Sequence, residues 1–329
     1  MLTRRHLIAL STAQALAPNL LIPEARAQTP KADFPHRPVR LVVPVAAGGP
    51  TDIVARMLAE KLSAKWGQQV VVENKGGAGT NIGNEYVAQS DPDGYTVLFA
   101  TASLAVNTSL YRSLSYDPVA DFAPVSLVTQ LAYFVFVPNS SPAHSIKVLI
   151  AHARSNPGKL TMASPGTGSA PFLAEMLFLQ MAGIQMTHVP YRGASPAFTD
   201  LIPGRVDCYF GSGALLSYAR SGQVRVLAMT GPKRDAAAPD VPTIAEAGVP
   251  GYDVTAWQAL FVPARTPSEV VRKISADTNA ALAEPAIKDK LAASGYVAEG
   301  SSPEELAKLL RAEIAKWSAV IKSVGIKID

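Results

Sequence analysis

At 329 residues, the chain is long enough for two domains, and its 48% hydrophobic and 17% charged residues form a core-building composition that excludes intrinsic disorder. Setting aside residues 1–27, which hold Arg4, Arg5, Arg26 and Glu24, leaves 27 of 30 basic and 25 of 26 acidic residues, a net charge of +2. That balance, with aromatic residues scattered and not interleaved with cations, excludes a nucleic-acid footprint.

Residues 1–27 read as an export signal. Arg4 and Arg5 supply the charged start, Leu7 to Ala17 a mildly apolar segment, and Ala25-Arg26-Ala27 before Gln28 the small-x-small cleavage pattern. Pro18, Asn19, Pro23 and Glu24 interrupt the run well short of the ~20 apolar residues a membrane span needs. The Arg4-Arg5 pair fits a twin-arginine signal and a general secretion signal alike. Cys208 is the only cysteine, so no internal disulfide and no lipid anchor after the cleavage site are expected.

Residues 28–38 are polar and proline-rich and read as a mobile leader. From Val39 strands and helices then alternate, which predicts a doubly wound parallel α/β sheet. The first half reads as strand 39–45, helix 51–65, strand 70–73, helix 83–90 and strand 96–100. Ala132 to Val137 is a continuous apolar run, read as a buried strand ending at Pro138. A second unit follows: helix 146–153, strand 160–163, helix 170–182, strand 187–189, helix 196–201, and strands 207–210 and 224–229. The run 256–262 mirrors 132–137 and ends at Pro263, so the two runs are expected to form the two chains of a hinge. Helices 268–283, 286–294 and 303–321 would pack back on the first half. The expected organisation is a signal at 1–27, a discontinuous first domain at 28–135 and 256–329, and a second domain at 136–255.

Two strand–loop–helix units carry the chemistry. In the first, Pro44-Val45-Ala46-Ala47-Gly48-Gly49-Pro50-Thr51-Asp52 opens a helix; in the second, Ser164-Pro165-Gly166-Thr167-Gly168-Ser169-Ala170 does so. Small-residue loops let backbone amides approach a ligand, and the first helical turn leaves its N–H groups unpaired, so each loop suits an anion. Gly49 and Gly168 are expected to be needed for that close approach. Asp52 reads either as a helix-start acid or as a residue holding the loop for ligand. Tyr191-Arg192 follows a strand, where Arg192 is either a carboxylate partner or an exposed cation. Trp257 and Phe172 are expected half in the core and half on the pocket wall.

Other chemistries lack their signatures. The glycine run Gly76 to Gly83 misses the dinucleotide fingerprint, with Ile82 at the third position, and is expected to be a turn supporting the ligand loop. No phosphate loop, no metal-ligand spacing and no Gly-x-Ser-x-Gly around Ser169 or Ser212 exists. His188 falls in a predicted strand, as a core histidine or a base. A spatially assembled triad stays open at this point.

Four segments in order resemble one family: Pro44 to Arg56, the Ser164 to Ser169 loop, His188 to Ala197 with Asp200-Leu201, and Pro242-Thr243-Ile244-Ala245-Glu246-Ala247-Gly248. It is the Bug family of extracytoplasmic solute receptors, which serve tripartite tricarboxylate transporters, and the resemblance runs over essentially the whole chain after the signal. It implies a type II periplasmic-binding-protein fold of two α/β domains closing on a small carboxylate, held by backbone amides and ordered water from the loops 46–52 and 164–170. The implied ligand residues are Ala46, Ala47, Gly48, Gly49, Asp52, Thr101, Ser103, Ser164, Gly166, Thr167, Gly168, Ser169, Phe172, Tyr191, Phe210 and Ser212. The implied protein is a periplasmic monomer that works with membrane transporter subunits, takes no cofactor or metal and performs no reaction. A ligand-sensing module for a signalling receptor and a hydrolase remain the alternatives. In two places the chain departs from the family: Phe172 stands where histidine is common, and Gly211 where an acid is common. Both departures point away from amino-acid ligands.

Overall fold

Leu41 and Val43 turn to one face of the sheet and Val42 to the other, and all three are buried, so the first strand is covered on both sides. This computed structural model describes residues 34–166, 169–191 and 194–325, apart from the side chain of Val324. The expected export signal and cleavage site lie outside them. Residues 34–38 are not a loose leader. Phe34 packs edge-on against Trp66 and Tyr95, and Arg37 pairs with Asp93 at 2.7 Å.

In chain order the strands and helices are β1 (Val39–Val43), α1 (Pro50–Trp66), β2 (Val70–Asn74), α2 (Asn81–Ala88), β3 (Thr96–Thr101), α3 (Ser103–Leu110) and β4 (Phe122–Pro138). Then come α4 (Ile146–Ser155), β5 (Thr161–Ser164), α5 (Ala170–Ala182), β6 (Thr187–Pro190), α6 (Ala194–Leu201), β7 (Cys208–Ser212), α7 (Leu216–Arg220) and β8 (Val224–Met229). The chain closes with β9 (Thr255–Pro263), α8 (Ser268–Ala283), α9 (Pro285–Ala293), β10 (Val297–Ala298) and α10 (Pro303–Val324). The strand order is β2-β1-β3-β9-β4-β7-β5-β6, with β8 and β10 also on β4.

The sheet is mixed, which corrects the all-parallel expectation. β1 runs parallel to β2 and β3, and β5 parallel to β6 and β7, but β9 is antiparallel to both β3 and β4. β4 is the long strand that makes this so. Phe122 to Ala132 pairs with β9, whereas Tyr133 to Phe136 pairs with β7 and Phe134 to Pro138 with β8. The predicted run 132–137 is therefore only the second part of a 17-residue strand that serves both halves. Contacts join the described residues from Phe34 onward into one unit.

Side-chain alternation divides the core. Val97 and Phe99 join α1 and α8 on one face, while Leu98 and Ala100 face α3 and α10. In the second half Phe134 and Phe136 pack on Phe198 and Leu201 of α6, while Val135 and Val137 join the cluster holding α5. α10 starts with a capping box between Ser302 and Glu305 and reaches the second half, where Ser323 Oγ donates to Gln180 Oε1 at 3.1 Å. No helix among the described residues is long and apolar enough to cross a membrane.

Candidate functional site

Strand directions fix where the site falls. β3 is antiparallel to β9 and β9 to β4, so β3 and β4 point the same way; β7 is antiparallel to β4, and β5 is parallel to β7. The carboxyl ends of β1 and β3 therefore face those of β5 and β7. Each of β1, β3 and β5 is followed by a helix, so α1, α3 and α5 begin at this gap.

A cavity of about 550 Å³ occupies it, and a residue from the first turn of each helix stands on its wall: Thr51, Ser103 and Ala170. α1 has Gly49 at its N-cap with no side-chain cap, and its first internal bond runs from Ile53 N–H to Gly49 O. At α3 the N–H groups of Ala105 and Val106 both return to Ala102 O, again without a side-chain cap. At α5 the Ser169 hydroxyl accepts the Phe172 N–H at 3.4 Å, and Pro171 has no N–H to offer. Three positive helix ends and their spare amides thus converge on one space. Among the described residues the wall carries no Asp, Glu, Lys, Arg or His. Its polar groups are hydroxyls and amides, including Thr101, Asn107, Tyr111, Thr255 and Gln258, set among Val106, Leu110, Leu173 and Trp317.

Of the residues expected at the ligand, Thr101, Ser103, Gly166 and Ser169 are on this wall. Ala46 and Ala47 line an adjoining open cavity of about 670 Å³, which shares Gly79 and Ser103 with the first. Thr167, Gly168 and Arg192 lie outside the described residues. The glycine turn supports the first loop as expected: a Cβ on Gly76 would sit 3.1 Å from Ala46 N, and one on Gly83 2.9 Å from Pro44 Cα.

Other expected residues act at one remove. Asp52 is buried, with Oδ2 accepting from Gly48 N and Arg56 Nε and Oδ1 from Asn74 Nδ2, all at 2.9 Å. Its burial raises the carboxyl pKa, but the donors of Arg56, Gly48 and Asn74 outweigh that and bring it down to about 2. Its role is to close the loop. Ser164 is buried too; its hydroxyl meets His188 Nε2 at 2.7 Å and accepts the Gly166 N–H at 3.2 Å. Desolvation lowers the His188 pKa, which favours a neutral ring beside that hydroxyl. Tyr191 N–H donates to Ser164 O, and its phenol donates to Asp200 Oδ2 at 2.9 Å. Neither Tyr191 nor Ser212 is on the cavity wall.

Three expectations need correction. Phe172 is a core residue with its ring 4.5 Å from that of His188, because the third position of α5 turns inward. Phe210 is fully buried against Phe178. Gly211 is interior: a Cβ there would lie 2.6 Å from Leu215 Cδ1 and 2.7 Å from Tyr209 Cε1, so it is no vacant position for a ligand-facing acid. Gly48, with φ +80°, needs glycine, but Gly49 has ordinary backbone and its Cβ would meet only Ala46 O at 3.7 Å. Sequence reading missed Thr51, Asn107, Tyr111, Tyr133, Gln258, Tyr296 and Trp317 on the wall. Only Thr51 carried a signal, as the second residue of a helix opened by Pro50. Trp257 is on the wall as expected, though 1% exposed.

Residues 54–326 match the family described as "Tripartite tricarboxylate transporter family receptor". The chain is 34% identical over 298 residues to the protein BugT of Bordetella pertussis, covering 90% of this chain and 91% of that one. Among solved structures it is similar to an R. palustris protein with adipate, at 37% identity and TM-score 0.75, covering 90% of this chain and all (100%) of that one. It is also similar to MatC from Rhodopseudomonas palustris with bound malate, at 32% identity and TM-score 0.71, covering 88% and 100%.

Proposed function

Because the chain belongs to the tripartite tricarboxylate transporter receptor family, whose members are periplasmic solute-binding receptors, we propose that its cavity takes up a small organic carboxylate and that the protein hands it on chemically unchanged. The observation that carries this reading is the convergence of the N-termini of α1, α3 and α5 on a space whose described wall holds no charged side chain. Helix ends attract an anion and donate to its oxygens. The adipate and malate seen in the two similar structures are ligands of this class.

The halves 28–135 with 256–329 and 136–255 act as the two jaws, bending where β4 changes partners between Ala132 and Tyr133. The loops 46–52 and 164–170 grip the carboxylate. Ser164 and His188 are within bonding distance, but the hydroxyl is buried and engaged by Gly166 N–H, which favours a loop anchor over a nucleophile. The processed protein is a monomer beginning at Gln28, and mass spectrometry of the exported form checks that terminus. Undiminished export after Arg4→Lys and Arg5→Lys would make the pair merely basic and not a twin-arginine signal.

Calorimetric titration of the processed protein with adipate and malate tests the core of the reading. The expected result is saturable one-to-one binding, with the ligand recovered intact. At about 100 times its dissociation constant, such a ligand adds ~2.7 kcal/mol of stability. Failure of every short mono- and dicarboxylate to bind or to raise Tm would overturn the proposal.

A further inference from the structure

The turn between β2 and α2 runs left-handed. Gly77, Ala78, Gly79 and Thr80 all have positive φ, and Ala78 at +46° and Thr80 at +84° are the only non-glycine cases among the described residues. Left-handed backbone costs free energy at every residue with a Cβ, and a β-branched residue such as Thr80 is rare there. Such a turn persists only where its surroundings hold it. Asn107 supplies the hold: its Nδ2 donates to Gly79 O at 2.8 Å and to Asn81 Oδ1 at 2.7 Å. Gly79 O can only accept, which fixes the orientation of the Asn107 amide. Behind it, Tyr116 Oη donates to Asn81 Oδ1 at 2.7 Å and accepts from Asn84 Nδ2 at 2.9 Å. Asn84 Nδ2 also reaches Thr80 Oγ1 at 3.2 Å. This lock is itself costly, because Asn84 Oδ1 is buried with no partner among the described residues. Strained backbone and an unpaired acceptor in one place point to function and not to stability.

Asn107 lies one turn along α3 from Ser103, and Ser103 and Gly79 both line the two adjoining cavities. Just before the turn, the chain backs the first ligand loop: Asn74 Nδ2 donates to Val45 O at 3.2 Å, and Lys75 N–H to Val43 O at 2.8 Å. We infer that Asn107 is a positioning residue for ligand capture: by fastening the left-handed turn to α3, it keeps the mouth of the anion site in its binding shape before the ligand arrives. This role rests on the carboxylate reading above. Without the lock the turn relaxes, only a fraction of molecules stays competent, and the apparent affinity falls by that fraction.

The test is a double-mutant cycle read with adipate, by calorimetry for affinity and by stopped flow for rates. Asn107→Ala is made in the natural turn and in a turn relaxed by Ala78→Gly and Thr80→Gly, since glycine adopts positive φ freely. In the natural turn Asn107→Ala should bind adipate about tenfold more weakly, with slower association and unchanged dissociation. In the relaxed turn the same change should cost less than twofold. Loss of a direct contact with the ligand would instead speed dissociation and cost the same in both turns; that result, or wild-type affinity in Asn107→Ala, would overturn the inference. If Asn107→Ala does not melt cooperatively, Tyr116→Phe carries the cycle by removing one hydroxyl of the lock. It should lose at least threefold in the natural turn and nothing in the relaxed one, and an equal effect in both turns would again overturn the inference. If wild type does not bind adipate, the cycle is read with malate. A wild type that binds no short carboxylate would overturn the carboxylate reading, and this role with it.

Discussion

The carboxylate of Asp52 reaches back to the loop in front of its own helix and accepts the N–H of Gly48 at 2.9 Å. The same oxygen takes Arg56 Nε, and the other takes Asn74 Nδ2, so one buried acid ties the first ligand loop to α1 and β2. Its pKa falls from 3.8 to about 2, despite a burial that works the other way. A depressed folded pKa means stability that is complete above the unfolded value and is lost as pH falls from there through the folded one. Asp52→Asn should cost roughly 2 kcal/mol at pH 7, because each tenfold change in proton affinity between the folded and unfolded chain is worth ~1.4 kcal/mol. The difference in unfolding free energy between wild type and variant should shrink from about pH 4 to about pH 2. A difference that stays constant across that range would contradict the assignment.

Gly48 and Gly49 should respond in opposite ways. At Gly48 the positive φ alone makes Gly48→Ala cost ~1–2 kcal/mol, although no atom lies within 4 Å of the added carbon. Gly49 is the uncapped N-cap of α1, with room for a side chain. Gly49→Asp should gain a few tenths of a kcal/mol by capping the helix while weakening carboxylate binding by roughly tenfold or more through charge repulsion. Gly49→Ser should gain the stability with a smaller loss of affinity. Melting curves and calorimetry on the three variants decide the point; equal losses of affinity for Asp and Ser would rule out the helix end as the anion site.

Local signals carried most of the fold. α5 was legible to the residue, because Ser169 caps its start and Gly183, at φ +61°, ends it. α8 at Ser268–Ala283 and β8 at Val224–Met229 were equally plain. The first part of β4 was not, because Pro124, Ser126 and Thr129 interrupt its apolar pattern. Those polar groups are satisfied far away in sequence, Ser126 Oγ by Asn279 Oδ1 at 2.6 Å and Thr129 Oγ1 by Gln258 Oε1 at 2.9 Å. The site divided the same way. Loops at strand ends could be read from glycine and proline, but Tyr296, Trp317 and Gln258 reach the wall only because the chain returns to the first half. Phe172 and Phe210 were misplaced for a related reason. Nearness in sequence to a loop says nothing of the face to which a side chain turns.

Ser164 and His188 give the second loop its own anchor, with a pH dependence. Desolvation depresses the His188 pKa below its ordinary 6.5, so the folded protein keeps the ring neutral while the unfolded chain takes up the proton. This contribution to stability is complete above pH 6.5 and declines as pH falls through the folded value. His188→Gln, which cannot titrate, should therefore flatten the fall of Tm between pH 7.5 and 5. Ser164→Ala removes the acceptor of the Gly166 N–H and should weaken ligand binding several-fold at pH 7.5. A wild-type Tm profile that matches that of His188→Gln over this range would count against the anchor.

Ligand charge gives the sharpest discrimination. An α-ammonium entering the cavity would find no carboxylate on the described wall, and an unpartnered charge there would bear a desolvation cost of several kcal/mol. Succinate should therefore bind at least tenfold more tightly than aspartate, a difference of about 1.4 kcal/mol or more. Gly211 cannot supply the missing acid, because Leu215 and Tyr209 fill the space where its side chain would start. Thr255 can, being half-buried and on the wall at the start of β9. Thr255→Asp should weaken succinate by repulsion and strengthen aspartate by pairing with its amine, narrowing or reversing the preference. Titrating both ligands into both proteins at low salt, where such charge effects are least screened, settles the matter. Tighter binding of aspartate than of succinate by the wild-type protein would refute the account of the cavity as a site for unmodified acids.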